Sequence, residues 1–223
     1  MQRFDTPAPV SAVLDVPAGR VQFIAADRTD TAVDVRPANP GKSRDIKAAE
    51  ETEVDFSDGV LRITAAPAKN QFFGPSGSVE ITVQLPAGSS VQAKAAGTEF
   101  RGVGRLGDVT IDSAQGPIKL DETAGARLTL QGGDIQVGRL TGDAEISTQK
   151  GDLTVTEAVR GTLTLRTQAG DINVTAARGT SATLDAGTGY GRVSNALNNS
   201  EGAKAALAVN ATTSYGDITA RSL

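Results

Sequence analysis

The 223-residue sequence contains neither cysteine nor histidine. Without cysteine the chain can form no disulfide, use no thiol nucleophile and offer no thiolate to a metal ion. Without histidine it lacks the usual general base, the Ser-His-Asp triad and the commonest ligand of transition metals. These absences exclude most familiar catalytic and metal-binding arrangements. We therefore expect a protein that needs no cofactor.

The chain also has few aromatic residues and a small net charge. The chain has no tryptophan, two tyrosines and six phenylalanines, so its core must be built from Val, Ile, Leu and Ala. The formal net charge is only -4, and no run of basic residues is present. This composition disfavours nucleic acid as a partner.

Long apolar segments are missing as well. The N-terminal residues MQRFDTPAPVSAVLDV lack the basic region and apolar stretch of a secretory signal. No apolar run approaches the roughly 18 residues that a membrane helix needs. The sequence as it stands predicts a cytoplasmic protein without direct membrane insertion, or a fragment without its targeting segment. Association with the cell envelope would then require a partner.

What the sequence does contain is a repeat of the form Gly-x-Φ-x-Φ, where Φ is apolar. Four copies, spaced by 17 to 19 residues, begin at Gly116, Gly133, Gly151 and Gly170. Weaker copies at Gly191 and Gly216 follow after 21 and 25 residues, which indicates lengthened turns. A second alternating apolar pair precedes each glycine, so each repeat has two short strands joined by a glycine turn.

Stacking explains this pattern better than a flat meander of hairpins, because one repeat cannot bury its own inner face. The predicted fold is all-β, a single-stranded β-solenoid whose rungs rise by about 4.8 Å each. We expect one continuous domain. Residues 1–90 would form less regular rungs with two loop excursions, at residues 37–52 and 67–78, and residues 91–223 would form the regular repeats. The last repeat, residues 214–223, is expected to end the stack without a cap.

Three sequence features together resemble a known bacterial family. They are the LDVPAG segment at residues 14–19, the VQLPAG segment at residues 83–88 and the serial Gly-Asp repeats. This combination is similar to the DUF4097 group, whose members are described as candidate adhesins with β-strand repeats. The resemblance implies a β-solenoid fold and supplies no catalytic residues.

The repeat places several polar residues where they could form columns. Asp134, Asp152, Asp171 and Asp217 follow turn glycines, so they are either turn formers or, as the less favoured alternative, a Ca²⁺ column. Otherwise we predict no metal site. Arg139, Arg160 and Arg178 are candidate contacts for an anionic partner, or else solvated edge charges.

Aromatic residues supply further candidates. Phe72 and Phe73 stand together in a polar segment, where they would contact a partner or plug the stack. Tyr190 and Tyr215 each precede a repeat glycine and are expected to stack on each other.

These patterns predict a non-catalytic interaction or scaffold module, adhesin-like, with a protein or cell-envelope component as its partner. The first alternative is a structural protein that self-assembles through exposed solenoid ends. The second is a carbohydrate-active enzyme, which the fold permits although no catalytic constellation is visible.

Overall fold

The computed structural model describes residues 1–65 and 77–223, and these fold mainly into β-strands. The all-β prediction is therefore confirmed. The chain divides into two compact units, Met1–Gln115 and Gly116–Leu223. In the described residues no helix is long and apolar enough to cross a membrane.

The described part of the first unit contains seven strands and one helix. The helix, α1, occupies Ser43–Glu50, inside the first predicted loop excursion. The strands are β1 Gln2–Asp5, β2 Ser11–Ala26, β3 Asp30–Pro37, β4 Glu53–Ser57, β5 Val60–Thr64, β6 Val79–Pro86 and β7 Ser90–Gln115.

Strand β2 is the centre of the first unit. One of its edges pairs in parallel with β7, and the other pairs in parallel with β5 and then β6. Its alternate apolar residues, such as Leu14, Val21 and Phe23, are buried. Antiparallel strands extend the sheet beyond β5 and β6. Strand β4 pairs with β5, β3 pairs with β6, and β1 pairs with β3.

The second unit contains ten strands, which follow the sequence repeat, and a short 3-10 helix at Gly202–Lys204. The strands are β8 Ile118–Gly132, β9 Ile135–Leu140, β10 Ala144–Lys150, β11 Leu153–Ala158, β12 Gly161–Ala169, β13 Ile172–Ala176, β14 Ala182–Tyr190, β15 Val193–Ala196, β16 Leu207–Tyr215 and β17 Ile218–Ser222.

These ten strands form two rows of parallel pairs. The first row, in spatial order, is β8, β10, β12, β16 and β14. The second row is β8, β9, β11, β13, β17 and β15, because the first half of β8 also pairs with β9. The register places equivalent apolar residues side by side, as with Leu128, Ile146 and Leu165. Such columns are buried and form the core of the unit.

The spatial order of the last two repeats differs from their order in the sequence. Strand β16 lies between β12 and β14, and β17 lies between β13 and β15. The expectation that residues 214–223 end the stack is therefore wrong. The connection 177–181 lets the chain skip one strand position, a spacing of about 4.8 Å, and the connection 197–206 lets it return to fill that position.

Candidate functional site

Each repeat of the second unit turns at a glycine, and these corner glycines stack on one another. They have positive φ angles, for example 144° at Gly151 and 153° at Gly170. A Cβ atom on Gly170 would overlap the carbonyl oxygen of Gly151, and one on Gly216 would overlap that of Gly170. Glycine is therefore required for two reasons: the positive φ angle, and the short distance to the carbonyl group of the neighbouring corner glycine.

The corner aspartates form a ladder along the same edge. The Oδ1 atom of each accepts a hydrogen bond from the backbone N–H of the equivalent residue in the next repeat. These bonds are 2.9 Å from Asp152 N to Asp134, 2.8 Å from Asp171 N to Asp152 and 2.7 Å from Asp217 N to Asp171. The predicted column thus exists, and one oxygen of each of these carboxylates already bonds to backbone.

The aspartate ladder ends at Arg192. Its N–H donates to Asp217 Oδ1 at 2.8 Å, and its Nη2 lies 3.3 Å from Asp217 Oδ2. The backbone hydrogen bond from Arg192, followed by its guanidinium, lowers the pKa of Asp217 below the usual value. Within residues 1–65 and 77–223, no three acidic side chains are grouped closely enough to hold a metal ion.

A second ladder, of threonine hydroxyls, lies inside the same corner. Each threonine donates to the carbonyl oxygen of the corner glycine in the preceding repeat of the stack. The bonds run from Thr148 to Gly133, Thr167 to Gly151, Thr213 to Gly170 and Thr188 to Gly216, at 2.9–3.4 Å. Sequence reasoning missed this ladder, although the Thr-x-x-Gly spacing at four corners is a detectable signal.

The predicted arginine contacts do not form a single row. Arg139 is flanked in register by Glu122 and Glu157, and it forms an ion pair with Glu157 at 2.6 Å. Arg160 donates through Nε to the carbonyl oxygen of Thr141 at 3.1 Å. Arg178 is exposed in the turn after β13. Alternating charge, rather than a continuous basic column, therefore characterises the surface around Arg139.

The predicted aromatic contacts have different outcomes. Tyr190 and Tyr215 stack with ring centroids 5.1 Å apart and planes 3° apart, as expected. Phe72 and Phe73, offered as a partner contact, lie outside the described residues. They stay predictions.

The outer face of the second row contains a concave surface, which we call the outer groove. It has a volume of about 230 Å³ and lies on β11, β13 and β17. Side chains of three strands line up across it, since Asn173 pairs in register with Thr154 on one side and Thr219 on the other. Arg221 lies at its border and donates through Nε to Thr175 Oγ1 at 3.3 Å.

The outer groove combines polar groups with apolar surface. Its described lining offers hydroxyl, amide and guanidinium groups, includes Val155 and Val174, and contains no carboxylate. The polar groups donate hydrogen bonds, and the guanidinium adds a fixed positive charge. The polar residues of the groove occupy the outward x position of Gly-Asp-Φ-x-Φ or the position two residues later, and no motif in the sequence distinguishes them.

The fold and the ladders define an all-β protein built from parallel, repeating strands. The chain belongs to the Toastrack DUF4097 family, whose model matches residues 13–222. The resemblance seen in the sequence is thereby confirmed. No protein with a curated description matches the chain.

Several solved structures are similar to the chain over nearly its whole length. A candidate cell adhesion protein of Clostridium sporogenes has 13% identity and a TM-score of 0.41, with 100% of this chain and 98% of that chain covered. A candidate adhesin of Bacteroides fragilis has 13% identity and a TM-score of 0.45, with 98% and 95% covered. A candidate lipid-binding protein of Parabacteroides distasonis has 12% identity and a TM-score of 0.48, with the same coverage.

Proposed function

We propose that this chain is a non-catalytic, adhesin-like binding module in which a β-solenoid presents the outer groove to a partner. The parallel pairing of equivalent residues in both rows supports the solenoid. A stack of this kind holds outward side chains at fixed spacings along rigid strands, which reduces the entropy lost when they bind a ligand.

The observation that carries the proposal is the composition of the outer groove. Hydroxyl and amide groups from three neighbouring strands lie together with Arg221, Val155 and Val174, and the described lining contains no carboxylate. This occurs in a chain whose net charge is negative, so the groove is more favourable to anions than the chain's average charge implies. The partner that fits is a hydroxyl-rich polymer bearing carboxylates, such as an acidic polysaccharide of a cell envelope.

Binding of polygalacturonate, measured by isothermal titration calorimetry, tests this proposal, with uncharged dextran as the comparison ligand. We expect polygalacturonate to bind and dextran to bind more weakly. The substitution Arg221→Gln should lower the affinity about tenfold, because it removes one charge-assisted hydrogen bond worth about 1.4 kcal/mol or more.

A matched control is Arg166→Gln, which removes an exposed arginine from the outer face of β12 in the first row. This variant should bind as the parent does. Equal loss of affinity in both variants, or equal binding of the two polymers, would contradict a specific groove. The proposal also expects no new reducing ends after prolonged incubation, whereas their appearance would favour the carbohydrate-active enzyme.

A further inference from the structure

The repeat formed by β14 and β15, here called the terminal repeat, is the last in the stack. Among the described residues, β14 pairs only with β16, and β15 only with β17. In contrast, β12 and β16 are each paired on both sides. We propose that the terminal repeat is the surface through which two copies of this chain form a closed dimer.

Backbone donors at the terminal repeat have no partner strand. At interior corners the glycine amide donates to the next repeat, as from Gly216 N to Tyr190 O at 3.0 Å. The second residue after it does the same, as from Ile218 N to Arg192 O at 2.9 Å. The equivalent amides in the terminal repeat, Gly191 and Val193, face the side where the described residues place no further strand. Such an edge can pair with a strand of another molecule.

Apolar side chains of the terminal repeat are also left partly uncovered. Val193 is 45% exposed, whereas Ile218, its neighbour in register, is 1% exposed. Tyr190 stacks on Tyr215 with one ring face and is still 72% exposed. Another layer would bury Val193 as the terminal repeat buries Ile218. Tyr190 would gain less, because Tyr215, its equivalent in the interior repeat, is still 60% exposed.

Two observations favour a second copy of this chain as that layer. Residues 182–196 contain one acidic residue, Asp185, and one basic residue, Arg192, so two terminal repeats meet without net repulsion. They also contain no lysine or proline, the residues that commonly protect an edge.

The outermost strands of the first unit differ in this respect. Each has two charged residues, which are Arg3 and Asp5 in β1 and Glu53 and Asp55 in β4. These features discourage pairing. The unprotected edge therefore brings the same surface of both copies together, which gives a two-fold dimer rather than a fibre.

The contact should be modest in size. The connection after β15 already covers the first residue of β14, because Asn198 O accepts a hydrogen bond from Ala182 N at 2.9 Å. The turn Gly202–Lys204 of the same connection also contacts β14, so the open part of the edge lies within residues 183–196. A contact of this length predicts a dimer that dissociates on dilution rather than a permanent one.

Sedimentation equilibrium over a wide concentration range tests the proposal. We expect the average mass to rise with concentration from 22.8 kDa towards twice that value and then stop. Hydrogen exchange of residues 182–196 should slow over the same range. Gly187→Lys adds an edge lysine where a Cβ atom has open space, and Val193→Lys places a charge among the uncovered groups. Each should weaken the dimer at least about tenfold, which is 1.4 kcal/mol.

The control is Gly132→Lys, a matched substitution in β8, where an added Cβ atom also meets nothing within 4 Å. It should dimerise as the parent does. Thermal unfolding of all variants separates loss of association from loss of folding. If one of the two edge variants fails to fold, the other still tests the dimer. A constant mass of one chain, growth beyond a dimer, or equal weakening by Gly132→Lys would overturn the proposal.

Discussion

At the residue scale, the corner of each repeat depends on a glycine that no other residue type can replace without strain. The glycine has a positive φ angle and lies against the carbonyl group of the neighbouring glycine. The aspartate and threonine ladders then satisfy donors and acceptors on both sides of this contact. Backbone geometry therefore explains the Gly-Asp repeat in the sequence, and the regularity of the repeat alone is no evidence of a ligand.

The substitution Gly170→Ala tests this view of the corner. The added methyl group would overlap the carbonyl group of Gly151 in a backbone conformation that disfavours any Cβ atom. We expect a loss of about 3 kcal/mol in the free energy of unfolding, measured by urea denaturation.

Gly132→Ala is the control, because its Cβ atom would meet nothing within 4 Å and its φ angle is not in the left-handed region. It should change stability by less than about 1 kcal/mol. If both variants were equally stable, the corner would be looser than the stacked glycines imply.

At the element scale, the exchanged order of the last two repeats is the main departure from the sequence. The inner residues of β16 are Leu207, Val209 and Ala211, whereas the inner residues of β14 are Ala182, Leu184 and Ala186. The more apolar repeat lies inside the stack, where both of its neighbours cover it. Burying the larger side chains on two sides favours this order.

Native-state hydrogen exchange distinguishes the two orders directly. Strands β14 and β16 have nine residues each, but β16 has partners on both edges and β14 on one. At concentrations where the chain is monomeric, we expect the amides of β16 to exchange more slowly than those of β14. A stack in sequence order would put β16 at the edge and reverse this ranking.

At the scale of the whole molecule, one carboxylate in each unit has a lowered pKa. The hydrogen bond from the Arg28 side chain, with a further contribution from the charge of Arg3, lowers the pKa of Asp30. The amide of Arg192 does the same for Asp217. A carboxyl group whose pKa is lower in the folded state stabilises that state above its unfolded pKa.

Stability should therefore fall as the pH drops below the ordinary aspartate value of 3.8 and through these lowered values. The double variant Asp30→Asn, Asp217→Asn keeps a side-chain oxygen but no charge. We expect its urea midpoint to fall less steeply between about pH 4 and about pH 2 than that of the parent. Because both groups are exposed to solvent, added salt should reduce the difference. Equal slopes would show that neither lowered pKa contributes.

Much of the architecture could be predicted from local pattern. Alternating apolar residues and spaced glycines indicate short strands with turns, because side chains alternate across a strand and glycine tolerates positive φ. The aspartate column follows from the same spacing. The threonine ladder could have been found too, since each threonine precedes its corner glycine by three residues. The outer groove could not, because polar residues on the outside of a strand look alike whether or not the surface is concave.

The sequence by itself determined the strands and corners of the second unit, since these depend on side-chain period and on residues adjacent in the chain. Only the tertiary structure decided which repeat lies beside which. All the repeats have nearly the same backbone hydrogen-bonding pattern, so local sequence allows several orders. The choice depends on how much apolar surface each repeat buries between two neighbours, and on connections long enough to pass over one strand.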